Sequence, residues 1–342
     1  MITQRQLSID HVLEIAVQTR KVTVRSYHAK CRRLQMAYVG HVAPVVGRLS
    51  SEGAEGGSPQ STLPDLLHYR NIHAELDAPA GIWWARMAPL GRPSFTDGLL
   101  HDIGEMHREL ARVVEAAPGT VRHVVLGSSV PGIYNLGGDL ALFARLIRAG
   151  DLEGLRRYGR VAVEAIHRNH TAFGLPVTTI ALVQGDALGG GFECALAHDV
   201  IVAERGAKFG LPEVLFNLFP GMGAYSFLSR RIGRVAAERM ILSGRIYGAA
   251  ELHEMGLVDV LAEDGEGEQA VRDYTERTGR RFNAHRALYE TRRRVEPVTL
   301  HELRHVVDGW AEAALNLGEA DLRKMLRLAG AQDRRMAGLA TA

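Results

Sequence analysis

The sequence predicts an α/β fold with a largely parallel sheet. Two observations support this prediction: short apolar strands alternate with longer segments of helical spacing, and glycine-rich turns separate strand from helix. The strands predicted at residues 123–127 and 178–184 are both followed by such a turn. This alternation is typical of parallel strands connected by right-handed helical crossovers.

Hydrophobic periodicity places the individual elements. Two strands at residues 72–76 and 82–87 are predicted on either side of a turn. Residues 99–116 are predicted to be helical, because their apolar side chains recur every three or four positions. Asp139 can cap the helix that follows it. The further elements, in chain order, are a strand at 123–127, a helix at 153–171, a strand at 178–184, a helix ending near 197, and strands at 200–203 and 208–210.

Composition predicts three regions. Residues 1–62 are expected to be a basic N-terminal extension with a flexible linker, since residues 1–48 hold eight Arg or Lys against two acids and residues 50–59 are rich in Ser and Gly. Residues 63–262 are the expected catalytic core, and residues 263–342 a helical C-terminal region. The extension is interpreted either as a docking segment for an acidic or regulatory protein partner or as a partly disordered arm.

Charge and cysteine content exclude several classes of protein. The net charge is +2, which gives no polyelectrolyte signal for nucleic acid. The two cysteines cannot form a disulfide framework and suit a reducing compartment. No apolar run is long enough for a membrane span, and the first residues do not resemble a secretory signal. A cytoplasmic location is therefore expected.

Two glutamates twenty residues apart, Glu193 and Glu213, are the candidate catalytic residues. Glu193 follows three glycines at the start of an apolar helical run, and Glu213 follows Pro212 after a short strand. A second glycine pair precedes Asp139. Carboxyl groups transfer protons, and amides exposed by glycine loops can hold a carbonyl oxygen that gains negative charge. Taken alone, each loop is more often an ordinary strand-to-helix turn.

The combination of motifs resembles the crotonase (enoyl-CoA hydratase/isomerase) superfamily. The matching pieces are Gly137-Gly138-Asp139, the run from Gly189 to Glu193, and the run 209–213, Phe-Gly-Leu-Pro-Glu. The resemblance implies a spiral of ββα units with a C-terminal helical layer. It also implies an oxyanion hole at the amides of Gly138 and Gly190, an acid–base pair at Glu193 and Glu213, and a homotrimer or a hexamer of two trimers.

Within that superfamily, residues 134–140 and 213–227 resemble synthases of diffusible signal factors, which are cis-2-unsaturated fatty acids used in quorum sensing. That resemblance implies dehydration of a 3-hydroxyacyl chain on acyl carrier protein, or on coenzyme A, followed by thioester cleavage. One alternative is a generic enoyl-CoA hydratase or isomerase that leaves the thioester intact. A second alternative is a catalytically idle binding or regulatory subunit. No metal or redox cofactor is expected.

Other candidate residues have simpler interpretations. Cys194 is expected to be a core residue rather than a nucleophile, and neighbouring His198 and Asp199 point in different directions on a helix end. Six arginines in the C-terminal region either dock an acidic carrier or phosphates, or form a solvated helix face: Arg280, Arg281, Arg286, Arg292, Arg293 and Arg294. The residues expected to line an acyl pocket, or to pack the core around it, are Leu136, Gly137, Leu140, Phe216, Leu218, Phe219 and Met222.

Overall fold

The computed structural model describes residues 69–339, with side chains to residue 331. The predicted N-terminal extension, residues 1–62, lies outside the described residues. The boundary predicted at residue 262 between core and C-terminal region stays a prediction. Within the described part of the chain, no helix is long and apolar enough to cross a membrane.

Strands and helices alternate along the chain as the sequence predicts. The strands are β1 (Ile72–Asp77), β2 (Ile82–Met87), β3 (His123–Ser128), β4 (Ile133–Asn135), β5 (Thr178–Val183), β6 (Asp186–Leu188), β7 (Val200–Glu204), β8 (Lys208–Gly210), β9 (Ile246–Gly248) and β10 (Val260–Ala262). The helices are α1 (Asp97–Ala116), α2 (Leu140–Arg148), α3 (Leu152–His170), α4 (Gly190–Leu196), α5 (Ala224–Ile232), α6 (Arg234–Ser243), α7 (Ala249–Glu254), α8 (Gly267–Gly279), α9 (Phe282–Val295), α10 (Leu300–Leu315) and α11 (Glu319–Leu339). Short 3₁₀ helices cover Ala172–Gly174 and Pro212–Phe216.

The strands form two sheets that the chain visits in turn. The larger sheet has the order β1-β2-β3-β5-β7-β10, and only its β1–β2 pair is antiparallel. The smaller sheet has the order β4-β6-β8-β9. Successive strands of the chain alternate between the two sheets: β3, β5 and β7 lie in the larger sheet, and β4, β6 and β8 lie in the smaller one. This repeat confirms the predicted α/β spiral of ββα units.

The core lies against the central strands of the larger sheet. Val125, Ile180 and Val202 come from three adjacent strands and are fully buried. Strands buried on both faces are apolar without alternation, which explains why these segments are easily predicted. Each such side chain contributes about 1.5–3 kcal/mol by leaving water.

The sequence does not predict the short strands β4 and β6. Each has three residues, and each falls in a segment interpreted as a loop because it contains glycine and polar residues. Their partners lie elsewhere in the chain, since β4 pairs with β6 and β6 pairs with β8. Long-range pairing, rather than local pattern, makes these residues strands.

The helix α10 packs along α3. Gly159 allows the close approach, because a Cβ at that position would lie 2.5 Å from Cγ2 of Val307. A bidentate pair joins Arg160 to Asp308 at 2.8–2.9 Å on the exposed side. The amphipathic spacing of this segment predicts a helix that covers another element, and α3 is that element.

Candidate active site

The two glycine loops meet in the structure. A Cβ at Gly137 would lie 2.9 Å from the carbonyl oxygen of Leu188 and 3.0 Å from the amide nitrogen of Gly190. A Cβ at Gly191 would collide with the carbonyl group of Asn135. Because both approaches leave no room for side chains, only glycine allows the two turns to touch. The loops that carry Gly138 and Gly190 are therefore neighbours, although the two glycines are 52 positions apart in sequence.

The amides of Gly138 and Gly190 are available for a ligand. Gly190 is the first residue of α4, where a helix leaves its N–H groups without intrahelical acceptors. Within the described part of the chain, neither amide donates a hydrogen bond to a protein acceptor. The neighbouring amide of Gly137, in contrast, donates to Oδ1 of Asn135 at 2.8 Å. Two unpaired amides on adjacent loops can both donate to the oxygen of one polarised carbonyl.

Glu193 is buried and held by backbone. Its side chain leaves the first turn of α4, and the residue is only 1% exposed. Its Oε1 accepts hydrogen bonds from the amides of Met222 at 2.7 Å and Ala224 at 2.9 Å. Such bonds favour the ionised carboxylate. The carboxylate therefore has a fixed orientation before any substrate arrives.

Glu213 lies in a different environment. It stands in the first turn of the 3₁₀ helix Pro212–Phe216. Its Oε1 lies beside Gly189, where a Cβ would approach it to 2.6 Å. Its Oε2 is buried and has no hydrogen-bond partner. A buried carboxyl oxygen without a donor favours the protonated form, because the charged form has lost its water.

The two carboxyls influence each other. Burial raises the pKa of Glu193, and the two backbone hydrogen bonds oppose that rise. Burial also raises the pKa of Glu213, and the charge on Glu193 raises it further. The pair therefore keeps one proton at a pH where two isolated carboxyls would both be ionised. The hydrogen bonding places this proton on Glu213, which gives one acid and one base in a single site.

Both carboxyls face a small cavity. Its volume is about 50 Å³, which is room for a few water molecules. The lining residues are Leu136, Gly137, Gly138, Leu140, Phe143, Tyr158, Gly159, Gly189, Gly190, Glu193, Pro212, Glu213, Phe216, Leu218, Gly221, Met222, Val307, Trp310 and Leu328.

Most of the residues predicted for the pocket line this cavity, with one exception. Phe219 does not line it, and its side chain is 40% exposed. Its neighbour Leu218 lines the cavity instead, because the 3₁₀ helix ends at the left-handed Asn217 and no helix continues through Phe219. The apolar run from Phe216 to Phe219 therefore does not form one continuous wall.

The far wall of the cavity comes from helices that the sequence does not connect with the site. Tyr158 and Gly159 lie on α3, Val307 and Trp310 on α10, and Leu328 on α11. The ring of Trp310 packs edge-on against Phe143, with ring centroids 5.0 Å apart. The only sequence signal for this wall is the amphipathic spacing of α10.

The remaining candidates have structural roles. Cys194 is buried, and burial raises the pKa of its thiol to about 12, so it is not an activated nucleophile. The ring of His198 bonds to the carbonyl of Cys194 at 2.8 Å rather than to Asp199. Asp199 accepts bonds from the amide and hydroxyl of Thr179.

Several arginines of the basic cluster form ion pairs within the protein. Arg293 pairs with Asp199 at 2.6 Å and Arg292 does so at 3.2 Å, which fixes the end of α9 to the core. Arg286 and Arg294 pair with Glu290 on the same helix. Two of the six arginines thus anchor a helix, a role that neither interpretation of the cluster includes.

Comparison with known sequences gives consistent matches. The family model for enoyl-CoA hydratase/isomerase matches residues 99–299. Mitochondrial methylglutaconyl-CoA hydratase of Mus musculus is 36% identical over 243 residues, 70% of this chain and 72% of the mouse protein. The probable enoyl-CoA hydratase echA8 of Mycobacterium tuberculosis is 50% identical over 194 residues, 56% of this chain and 68% of that protein. With the rat and human methylglutaconyl-CoA hydratases, the match spans about half the length of each relative.

Solved structures share the fold. Enoyl-CoA hydratase of Bacillus anthracis superposes with a TM-score of 0.59 at 24% identity, over 78% of this chain and 96% of that one. Human mitochondrial delta3-delta2-enoyl-CoA isomerase gives 0.62 at 18% identity, over 78% and 99%. Pseudomonas aeruginosa DspI gives 0.57 at 25% identity, over 71% and 93%.

Proposed function

Because this chain belongs to the enoyl-CoA hydratase/isomerase family, we propose that it adds water reversibly to the double bond of a 2-enoyl thioester of coenzyme A. One observation carries the proposal: two buried carboxyls in different environments line one cavity together with both glycine loops. An acid, a base and a pair of backbone donors are what this reaction requires.

The amides of Gly138 and Gly190 bind the thioester carbonyl oxygen in this proposal. Addition of water at C3 pushes negative charge onto that oxygen, so the intermediate resembles an enolate. Donors fixed in advance stabilise the developing charge, and losing one such donor typically costs about 10²–10³-fold in rate. The largely apolar lining strengthens the interaction, because it lowers the local dielectric constant around the oxygen.

The two glutamates have different roles in the proposed reaction. Glu193, ionised and oriented by Met222 and Ala224, removes a proton from the water that attacks C3. Glu213, protonated, delivers its proton to C2. Dehydration follows the same path backwards and needs the proton on Glu193 at the start. The hydrogen bonding of the free enzyme therefore favours the protonation states of Glu193 and Glu213 that hydration requires.

A second candidate follows from the runs 134–140 and 213–227. In it, the same site dehydrates a 3-hydroxyacyl chain on acyl carrier protein to a cis-2-enoyl chain and then hydrolyses the thioester, releasing a fatty acid signal. The oxyanion hole would serve the tetrahedral intermediate of hydrolysis as well. The family match favours the first candidate, because the model that matches residues 99–299 describes enoyl-CoA hydratases and isomerases.

The two candidates differ in their products. The purified protein is incubated with 2-enoyl coenzyme A and with 3-hydroxyacyl thioesters of coenzyme A and of acyl carrier protein, in short and long chain lengths. Mass spectrometry reads the products. Reversible hydration with the thioester intact supports the first candidate. Release of free cis-2-unsaturated acid from the carrier supports the second, and no turnover of any thioester contradicts both and leaves the idle-subunit alternative.

The assembly and location are also proposals. We infer a homotrimer, or a hexamer of two trimers, from the resemblance to the superfamily, and light scattering of the purified protein measures it. A cytoplasmic location is inferred from the sequence alone. Fractionation of cells that express the protein tests it.

A further inference from the structure

The peptide bond between Gly137 and Gly138 has a fixed orientation. The amide of Phe95 donates a hydrogen bond to the carbonyl oxygen of Gly137 at 2.8 Å, and an isolated parallel bridge pairs Phe95 with Gly138. In a planar trans peptide the N–H points opposite to the carbonyl of the preceding residue. The bond from Phe95 therefore holds the N–H of Gly138 pointing away from Phe95.

The backbone of Phe95 is itself held by Tyr158. The Tyr158 hydroxyl donates to the carbonyl oxygen of Phe95 at 2.5 Å and accepts from the amide of Asp139 at 3.3 Å. Phe95 pairs with Gly138 in the isolated bridge, and Asp139 follows Gly138 in the chain. Three hydrogen bonds and the backbone from Gly137 to Asp139 thus close a ring that includes Gly138.

The side chain of Tyr158 also supports the loop by packing. It comes from α3, is 6% exposed and lies edge-on to Phe143, with ring centroids 4.9 Å apart. A Cβ at Gly138 would lie 2.5 Å from Cζ of Phe143 and 3.5 Å from the Tyr158 hydroxyl. Burial raises the pKa of Tyr158, so the hydroxyl stays protonated and keeps donating to Phe95.

We propose that Tyr158 is a positioning residue for the oxyanion hole, whose hydroxyl ties Phe95 to Asp139 and so keeps the Gly138 amide directed at the substrate carbonyl. The inference rests on the proposed function, because it assigns a task to the Gly138 amide. It concerns a residue of α3 that the sequence motifs do not include. Asn135 acts on the other side of the loop by binding the Gly137 amide, which leaves Gly138 as the free donor.

The test is Tyr158→Phe, which removes one oxygen and keeps the ring. We expect kcat for hydration to fall about 10-fold or more. This loss is smaller than the roughly 10²–10³-fold caused by removing an oxyanion-hole donor altogether, because the Gly138 amide is still present but less well oriented. KM should change less than about threefold, because the acyl pocket keeps its shape. Difference Raman spectra of a bound cinnamoyl thioester of coenzyme A should show a smaller shift of the carbonyl stretch than in the wild type.

The matched control is Tyr274→Phe, which removes a half-buried hydroxyl that pairs with Tyr289 at 2.8 Å, away from the cavity. It should leave both kcat and the carbonyl stretch unchanged. A Tyr158→Phe protein with wild-type kcat, or with lower stability but an unaltered carbonyl stretch, would overturn the inference. Failure of the wild type to hydrate any thioester would instead refute the proposed function, so the two failures are distinguishable.

Discussion

Glu193 and Glu213 are the same kind of residue in the same cavity, but their carboxyl groups have different neighbours. Glu193 accepts two backbone hydrogen bonds, whereas Glu213 has a buried oxygen with no donor. Burial raises the pKa of both, two backbone amides offset part of the rise at Glu193, and at Glu213 the charge of Glu193 adds to the rise while only its own backbone amide opposes it. Backbone geometry, rather than residue type, therefore separates base from acid in this site.

The largest expected effect comes from replacing either carboxyl. Glu193→Gln and Glu213→Gln should each lower kcat by about 10²–10⁴-fold, the usual contribution of a positioned acid or base. Steady-state hydration kinetics measure this. Glu204→Gln is a suitable control, since Glu204 is buried and bonded to Gln184 and Gly267 but does not line the cavity. Turnover that survives either active-site change would contradict the acid–base assignment.

A smaller effect is expected when the oxyanion loop is altered and both carboxyls remain. A Cβ at Gly138 would meet Phe143 at 2.5–2.6 Å, so Gly138→Ala must displace either the ring or the loop. We expect kcat to fall about 10²-fold, as for a lost donor. Gly104→Ala is the control, because a Cβ there meets nothing within 4 Å. Equal kinetics in the two variants would show that the Gly138 loop does not act in the reaction.

The smallest effect is on stability, and it depends on pH. The folded pKa of Glu213 is raised, so between the ordinary glutamate value, about 4.3, and the raised value the folded state binds more protons than the unfolded state. This group therefore lowers stability as pH rises through that window. Glu213→Gln should match the wild type in Tm below the window and exceed it above. Thermal melts across pH measure the difference, and parallel curves would contradict it.

The sequence predicts one half of the site well and the other half poorly. The glycine loops and both glutamates are predictable, because tight turns between strand and helix leave local signals in residue type and spacing. The wall made by Tyr158, Trp310 and Leu328 has no such signal. These residues come from three helices and meet only through tertiary packing. For the same reason, the sequence does not reveal that Phe219 faces away from the cavity.

The strands of the fold also differ in how well the sequence predicts them. Buried strands such as β3 and β5 are predicted to within a residue or so, since continuous apolar runs identify them. The three-residue strands β4 and β6 are not predicted, because their pairing partners lie far along the chain. Elements with a local residue pattern can be predicted from the sequence, whereas elements that depend on contacts between distant segments are seen only in the structure.

We expect the free enzyme to hold one proton on Glu213 and none on Glu193 at a pH between the raised pKa values of the two carboxyls, about 7 for Glu193 and about 8 for Glu213. Infrared difference spectroscopy of the two Gln variants against the wild type at such a pH tests this most directly. We expect a protonated carboxyl band that disappears in Glu213→Gln and persists in Glu193→Gln. Loss of the band in Glu193→Gln alone, or its persistence in both variants, would show that the proton is not held on Glu213.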